Sequence, residues 1–162
     1  MADAELNAGL LMFIAHRSME DRIFAELHAA GFTDITVAQG RVAQRISRDG
    51  IRLTELAEQA QITKQTAGFL VDQLERAGYV ERVADPTDGR ARLVRLSERG
   101  KKVAVFANSI ADRIEAEWAA HLGTRRMREL RAALIALREI TDPYAHPGGA
   151  AARLGSGPGR AV

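Results

Sequence analysis

The chain has 162 residues, 46% of them apolar and 27% charged, which suits one domain with a sizeable core. It contains no cysteine, so a disulfide framework, a thiolate metal site and a thiol peroxide sensor are excluded. A formal net charge of +2 says little, but its distribution says more: residues 41–102 hold 13 Lys and Arg against 9 Asp and Glu, the remainder 10 against 12. The positive excess falls where an anionic partner would lie. No apolar run is long enough to span a bilayer, and the start, MADAELNAGL, lacks the basic and apolar regions of a secretory signal. A cytoplasmic protein without membrane contact is expected.

Residues Leu6 to Ala30 read as one long helix that stops at Gly31. Met12, Ala15, Met19, Ile23, Leu27 and Ala30 form one stripe, while Leu6, Leu10, Phe13 and Phe24 lie largely to another side. Two apolar faces exceed one intradomain contact, which points to a second subunit; a fully buried helix in a monomer is the plainer alternative. The next helix spans Thr36 to Ile46, with Thr36 and Gln39 in capping-box spacing and Val37, Val42 and Ile46 facing inward. Gly40 interrupts it, and a glycine inside a helix costs about 1 kcal/mol against alanine. Either a ligand uses the missing volume, between this helix, the first and the long helix that follows the hairpin, or two helices cross closely there. Met12, His16, Gly40 and Phe106 are the candidate pocket residues.

Ser47–Gly50 is a loop, and Ile51–Leu53 is expected to form a short strand. A helix over Thr54–Ala60, a polar break at Gln61-Ile62 and a helix over Thr63–Ala77 then make a helix-turn-helix. In the second helix Ala67, Leu70, Val71 and Leu74 form the apolar stripe, Thr63 suits the N-cap and Gly78 the position after the C-cap. Its other face offers Lys64, Gln65, Gly68 and Gln73, with Phe69 placed either to touch a thymine methyl or to pack beneath the helix. Asp72 and Glu75 would repel phosphate and should face protein or solvent. Tyr79–Val83 and Arg92–Leu96 read as strands flanking a loop, Ala84–Arg90, that contains Asp85, Pro86, Asp88 and Gly89. Arg90, Arg92 and Arg95 make this hairpin a basic wing.

Ser97 is expected to cap a helix through about His121, lined by Val103, Phe106, Ile110, Ile114, Trp118 and Leu122. Gly123-Thr124 breaks it. The last helix, Arg125–Ile140, repeats Met127, Leu130, Leu134 and Leu137 as a narrow seam. From residue 143 to 162 the chain is rich in Gly, Ala and Pro and reads as a disordered extension, its Arg153 and Arg160 available for non-specific nucleic-acid contact.

The fold class is therefore mostly α with a small β-hairpin wing: a winged helix-turn-helix head between long terminal helices. The unit is expected over 6–142 with its DNA-binding core at 51–100. The runs Leu53-Thr54-Glu55-Leu56-Ala57, Leu70–Val80, Asp85–Val94 and Leu96-Ser97-Glu98-Arg99-Gly100 resemble the MarR family of bacterial winged-helix transcription factors. The likeness extends by helix order to about Asp142. It implies a homodimeric, sequence-specific regulator of double-stranded DNA, usually a repressor, released by a small aromatic, often anionic, effector. It also implies that Arg90 enters the minor groove with Asp88 helping to hold it. Thr63, Lys64, Gln65, Thr66, Gly68, Phe69, Gln73, Asp88, Arg90 and Arg92 are the expected DNA-binding residues. Gly40 and Phe69 depart from the family, where a bulky residue and a polar or basic one are expected.

Two other classes compete. An enzyme is disfavoured because the chain shows no cysteine nucleophile, no phosphate-cradling glycine loop and no clustered His, Asp and Glu; no cofactor is expected. A winged helix with a protein partner would not need Arg90 and Arg92 at its tip. A metal-responsive relative would have to recruit His16, His28 and His121 with carboxylates, none at metal-ligand spacing in sequence.

Overall fold

The computed structural model describes residues 6–144. Helix α1 (Ala8–Ala29) is capped by Asn7, whose side chain accepts from the Leu10 N–H at 2.9 Å. It ends as expected at Gly31, which takes φ +94° while the Phe32 N–H returns to the Leu27 carbonyl at 3.0 Å. Only the second half of α1 enters the core. There Phe24 and Leu27 are buried together, which corrects the expectation that Phe24 lies on a separate face. The reason is Gly40: a Cβ at that position would stand 2.5 Å from Phe24 Cζ, so the phenyl ring occupies the volume the glycine leaves.

Helix α2 (Val37–Ala43) starts with both halves of the capping box formed. Thr36 Oγ1 accepts from the Gln39 N–H at 3.3 Å, and Gln39 Oε1 accepts from the Thr36 N–H at 2.8 Å. It stops earlier than the expected Ile46, because the Arg45 and Ile46 N–H groups turn to carbonyls three residues back. Ile46 is nevertheless buried. Strand β1 (Ile51–Arg52) passes directly into α3 (Leu53–Gln59), so Leu53 begins the helix instead of ending the strand. The turn to α4 (Lys64–Arg76) runs through Gln61 at φ +54°, a left-handed residue without glycine's freedom. Thr63 caps α4 by accepting from the Thr66 N–H at 3.1 Å. Gly78 at φ +78° closes it, with the Tyr79 N–H on the Leu74 carbonyl at 2.8 Å.

Strands β2 (Val80–Asp85) and β3 (Asp88–Leu96) form the wing, and β1 pairs with the far edge of β3, giving the antiparallel order β1-β3-β2. The expected seven-residue loop is mostly strand, with a turn of Pro86 and Thr87 alone between the two strands. The length difference appears as a register shift: Ala84 faces Arg92 but Asp85 faces Asp88, so Gly89, Arg90 and Ala91 have no β2 partner across the ladder. Helix α5 (Glu98–Leu122), capped by Ser97 on the Gly100 N–H at 3.1 Å, and α6 (Thr124–Thr141) complete the described chain.

The core gathers Leu56, Val71, Leu74, Tyr79, Val94 and Val103 between the sheet and helices α1 to α5. Helix α1 lies on α5, held by a two-pronged Arg22–Glu117 pair at 2.6 and 2.9 Å and by Arg113 donating to Glu26. Helix α6 buries no residue at all. The Gly/Ala/Pro-rich stretch from 145 on, with Arg153 and Arg160, lies outside the described residues. Among those described, no helix is long and apolar enough to cross a membrane.

Candidate nucleic-acid interface

Helix α4 divides cleanly into two faces. Ala67, Val71 and Leu74 are buried, while Thr63, Lys64, Gln65, Thr66 and Phe69 are exposed. Its first turn carries no acid, so the positive end of the helix dipole and the Lys64 ammonium add their fields. Lys64 makes no ion pair among the described residues. Thr66 also shares a 2.8 Å hydroxyl contact with the capping Thr63, which fixes both side chains.

Two residues expected on this face are placed elsewhere. A Cβ on Gly68 would meet Leu53 Cδ2 at 3.7 Å, so position 68 looks toward the start of α3. Gln73 is half-buried, its carbonyl accepting from Gln39 Nε2 at 3.0 Å, which ties α4 to α2. Neighbouring elements explain both, since the start of α3 lies against position 68 and α2 against Gln73, on opposite sides of the outward line through Gln65 and Phe69. The acids Asp72 and Glu75 are also accounted for. Arg82 of β2 donates to both, to Asp72 at 2.6 Å, and so removes their repulsion of an approaching anion.

The wing is fixed at its tip by hydrogen bonds that local sequence does not announce. Asp85 is buried and accepts from the Thr87 N–H at 2.8 Å and the Thr87 hydroxyl at 2.7 Å. Arg52, from β1, donates to the same carboxylate through Nε at 2.8 Å and Nη2 at 2.7 Å. Thr87 first and Arg52 second pull the Asp85 carboxyl down to about 2. Arg52 also stands 3.6 Å from Asp88 Oδ2. Asp88 in turn accepts from the Arg90 backbone N–H at 3.1 Å, so it shapes the bulge that carries Arg90 and makes no ion pair with the Arg90 guanidinium. The guanidinium groups of Arg90 and Arg92 are exposed and make no ion pair among the described residues. Arg95 is engaged with Glu81 at 2.7 Å. Sequence reasoning missed Arg52 and Arg82, since each acts on acids at least seven positions away.

Behind this surface a cleft of about 340 Å³ opens between α1, α2 and α5. His16 and Gly40 are among the residues that line it, with Glu20, Phe24, Tyr79 and Asn108, although the space left by Gly40 itself is taken by the Phe24 ring. Met12 and Phe106 do not. Met12 lies exposed one turn before His16, and Phe106 packs against Phe32 with ring centroids 6.4 Å apart. Glu20, buried in the wall, receives Arg41 through two 2.7 Å bonds, and these hold its carboxyl below the usual range although burial pushes it up. Among the described residues no lysine or arginine lines the cleft. His28 is turned to the Ile35 carbonyl at 3.2 Å, and among the described residues no three metal-ligating side chains stand together.

Comparison with known proteins gives a consistent picture. The family model described as "MarR family" matches residues 33–91. The transcriptional regulator HosA of Escherichia coli O111:H- is 34% identical over 90 residues, which cover 55% of this chain and 67% of HosA. A crystal structure of MarR superposes with a TM-score of 0.68 at 26% identity, covering 83% of this chain and 97% of MarR. A crystal structure of an S. aureus MepR–DNA complex superposes with a TM-score of 0.62 at 24% identity, over 84% and 99% of the two chains, and shows likeness of fold.

Proposed function

The chain belongs to the MarR family of transcriptional regulators, and on that premise we propose that it acts as a homodimer reading a two-fold symmetric operator in double-stranded DNA. The observation that carries this reading is the pairing of an acid-free, exposed N-terminal half of α4 with a wing whose Arg90 and Arg92 are free of partners among the described residues. Thr63, Lys64, Gln65 and Thr66 meet a major groove, and Arg90 meets the adjoining minor groove with Arg92 on the backbone. Gln73 and Gly68 act behind that surface. MepR, which shares the fold, forms a complex with DNA, and this supports the choice of DNA as partner.

Dimerisation uses the apolar surface that one subunit leaves open. Leu10, Leu11, Met12, Phe13 and Ile14 of α1 and Leu130, Leu134, Leu137 and Ile140 of α6 are all at least 40% exposed. Such surfaces on two terminal helices favour a second copy of the chain. The dimer represses by occupying DNA that polymerase needs, in the cytoplasm. The cleft receives the effector. Glu20 in its wall is already neutralised by Arg41, and among the described residues no lysine or arginine lines it, so the cleft favours a neutral aromatic compound over the anionic one that family likeness suggests. Occupancy reaches DNA through α2, whose Gln39 is bonded to Gln73 of α4.

Selection of the purified protein on a random duplex pool tests the reading. It should enrich a two-fold sequence whose half-site centres lie about one helical turn, roughly 34 Å, apart. A pool that stays random after repeated selection would remove the proposal.

A further inference from the structure

Phe69 is 58% exposed, a large apolar side chain on the outer face of α4. It is not part of the buried stripe of α4, which Ala67, Val71 and Leu74 supply. The other large apolar residues with such exposure fall in 10–14, at Val105 and in 130–140, on helices α1, α5 and α6. Helix α4 instead packs on α2, α3 and β2, so Phe69 is no part of the apolar faces assigned to the dimer. Its neighbour one turn earlier on the same face is exposed Gln65, and both follow the acid-free first turn with Lys64. The surroundings suit a polyanion, while the ring itself suits an apolar group set among polar edges. In the major groove of unmodified DNA that group is the thymine C5-methyl.

We propose that the Phe69 ring is a specificity determinant that reads the C5-methyl of one thymine in each operator half-site. The inference rests on the operator-reading role proposed above. Gln65 contacts the edge of a neighbouring base pair, and the ring excludes water from the methyl beside it. A base without the methyl leaves part of the ring wet in the complex, so discrimination comes from lost apolar burial and not from a broken hydrogen bond.

The test uses the full-length protein and the operator obtained by selection. Each thymine is replaced in turn by deoxyuridine, which removes the methyl and keeps the base pair, and binding is measured for wild type and Phe69→Ala. One thymine per half-site should stand out. Its replacement weakens wild-type binding about fourfold, or about fifteenfold when both half-sites are changed, since each loses the burial of one methyl-sized group. Phe69→Ala binds the unmodified operator less tightly and is indifferent to deoxyuridine at that position. Its thermal unfolding midpoint stays at the wild-type value, because the ring is exposed. If no deoxyuridine costs the wild type more than it costs Phe69→Ala, the inference is overturned while operator recognition stands. If the wild type binds no sequence preferentially, both fall together.

Discussion

Asp85 shows how much of the wing depends on one carboxylate. Its oxygens accept two bonds from Thr87 and two from Arg52, so the ionised form is the one the fold holds, with the carboxyl drawn down to about 2. In the unfolded chain the group titrates near the ordinary value of about 3.9. The stabilisation is therefore complete above that value and is lost as pH falls through it toward 2. Asp85→Asn lacks it at every pH. The unfolding midpoint of the variant should lie below that of wild type at pH 7, and the gap should close between about pH 4 and pH 2; a gap independent of pH would contradict the assignment. Read alone, the sequence identifies Asp85 as a loop residue, whereas it ends β2 and its side chain holds the turn that follows. Its partner Arg52 lies 33 positions upstream, and no local pattern joins them. The same holds for Gly40. A missing side chain inside a helix is visible in the sequence, but only the fold shows that the Phe24 ring fills the space.

At the scale of elements, the helix-turn-helix was legible because its signals are local. Thr63 caps α4, Gly78 ends it, and Ala67, Val71 and Leu74 face the core as their spacing requires. Gly68 is the exception. The sequence puts it on the outer face, whereas its missing Cβ points toward Leu53 with ordinary van der Waals room at 3.7 Å. Its backbone is not left-handed, so alanine fits there. Gly68→Ala should therefore stabilise the protein by up to about 1 kcal/mol through helix propensity, read from chemical denaturation, and leave DNA affinity unchanged. Loss of affinity would return position 68 to the DNA face. The wing was less legible. Asp, Pro and Gly within seven residues argue for a loop, yet Asp85 and Asp88 satisfy nearby N–H groups so well that pairing continues to the two-residue turn. The unmatched residues then collect in a bulge on β3 that carries Arg90 outward.

At the scale of the whole molecule, surplus apolar surface is the feature that sequence periodicity anticipated. Helix α6 repeats leucines without burying any, and the first half of α1 is open on all sides. What periodicity could not supply is the partition within α1, where Glu20 is buried against Arg41 and faces a cleft that α2 and α5 complete. The two halves of the molecule are linked by short steps: Glu20 to Arg41 on α2, then Gln39 to Gln73 on α4. On the proposed reading, an effector in the cleft and DNA on α4 would act on one helix between them, and by reciprocity any change one made in the affinity for the other would be returned to the same degree.

The measurement closest to the central claim is fluorescence anisotropy on the selected operator across a salt series, with wild type, Arg90→Ala and Gln65→Ala side by side. Wild type should prefer the operator to scrambled duplex, its affinity falling steeply with salt. Arg90→Ala should weaken binding to every sequence and lower the salt slope by about one. Gln65→Ala should keep the slope and relax sequence choice by about 1–3 kcal/mol. Weak, sequence-blind binding unchanged by either substitution would contradict the account.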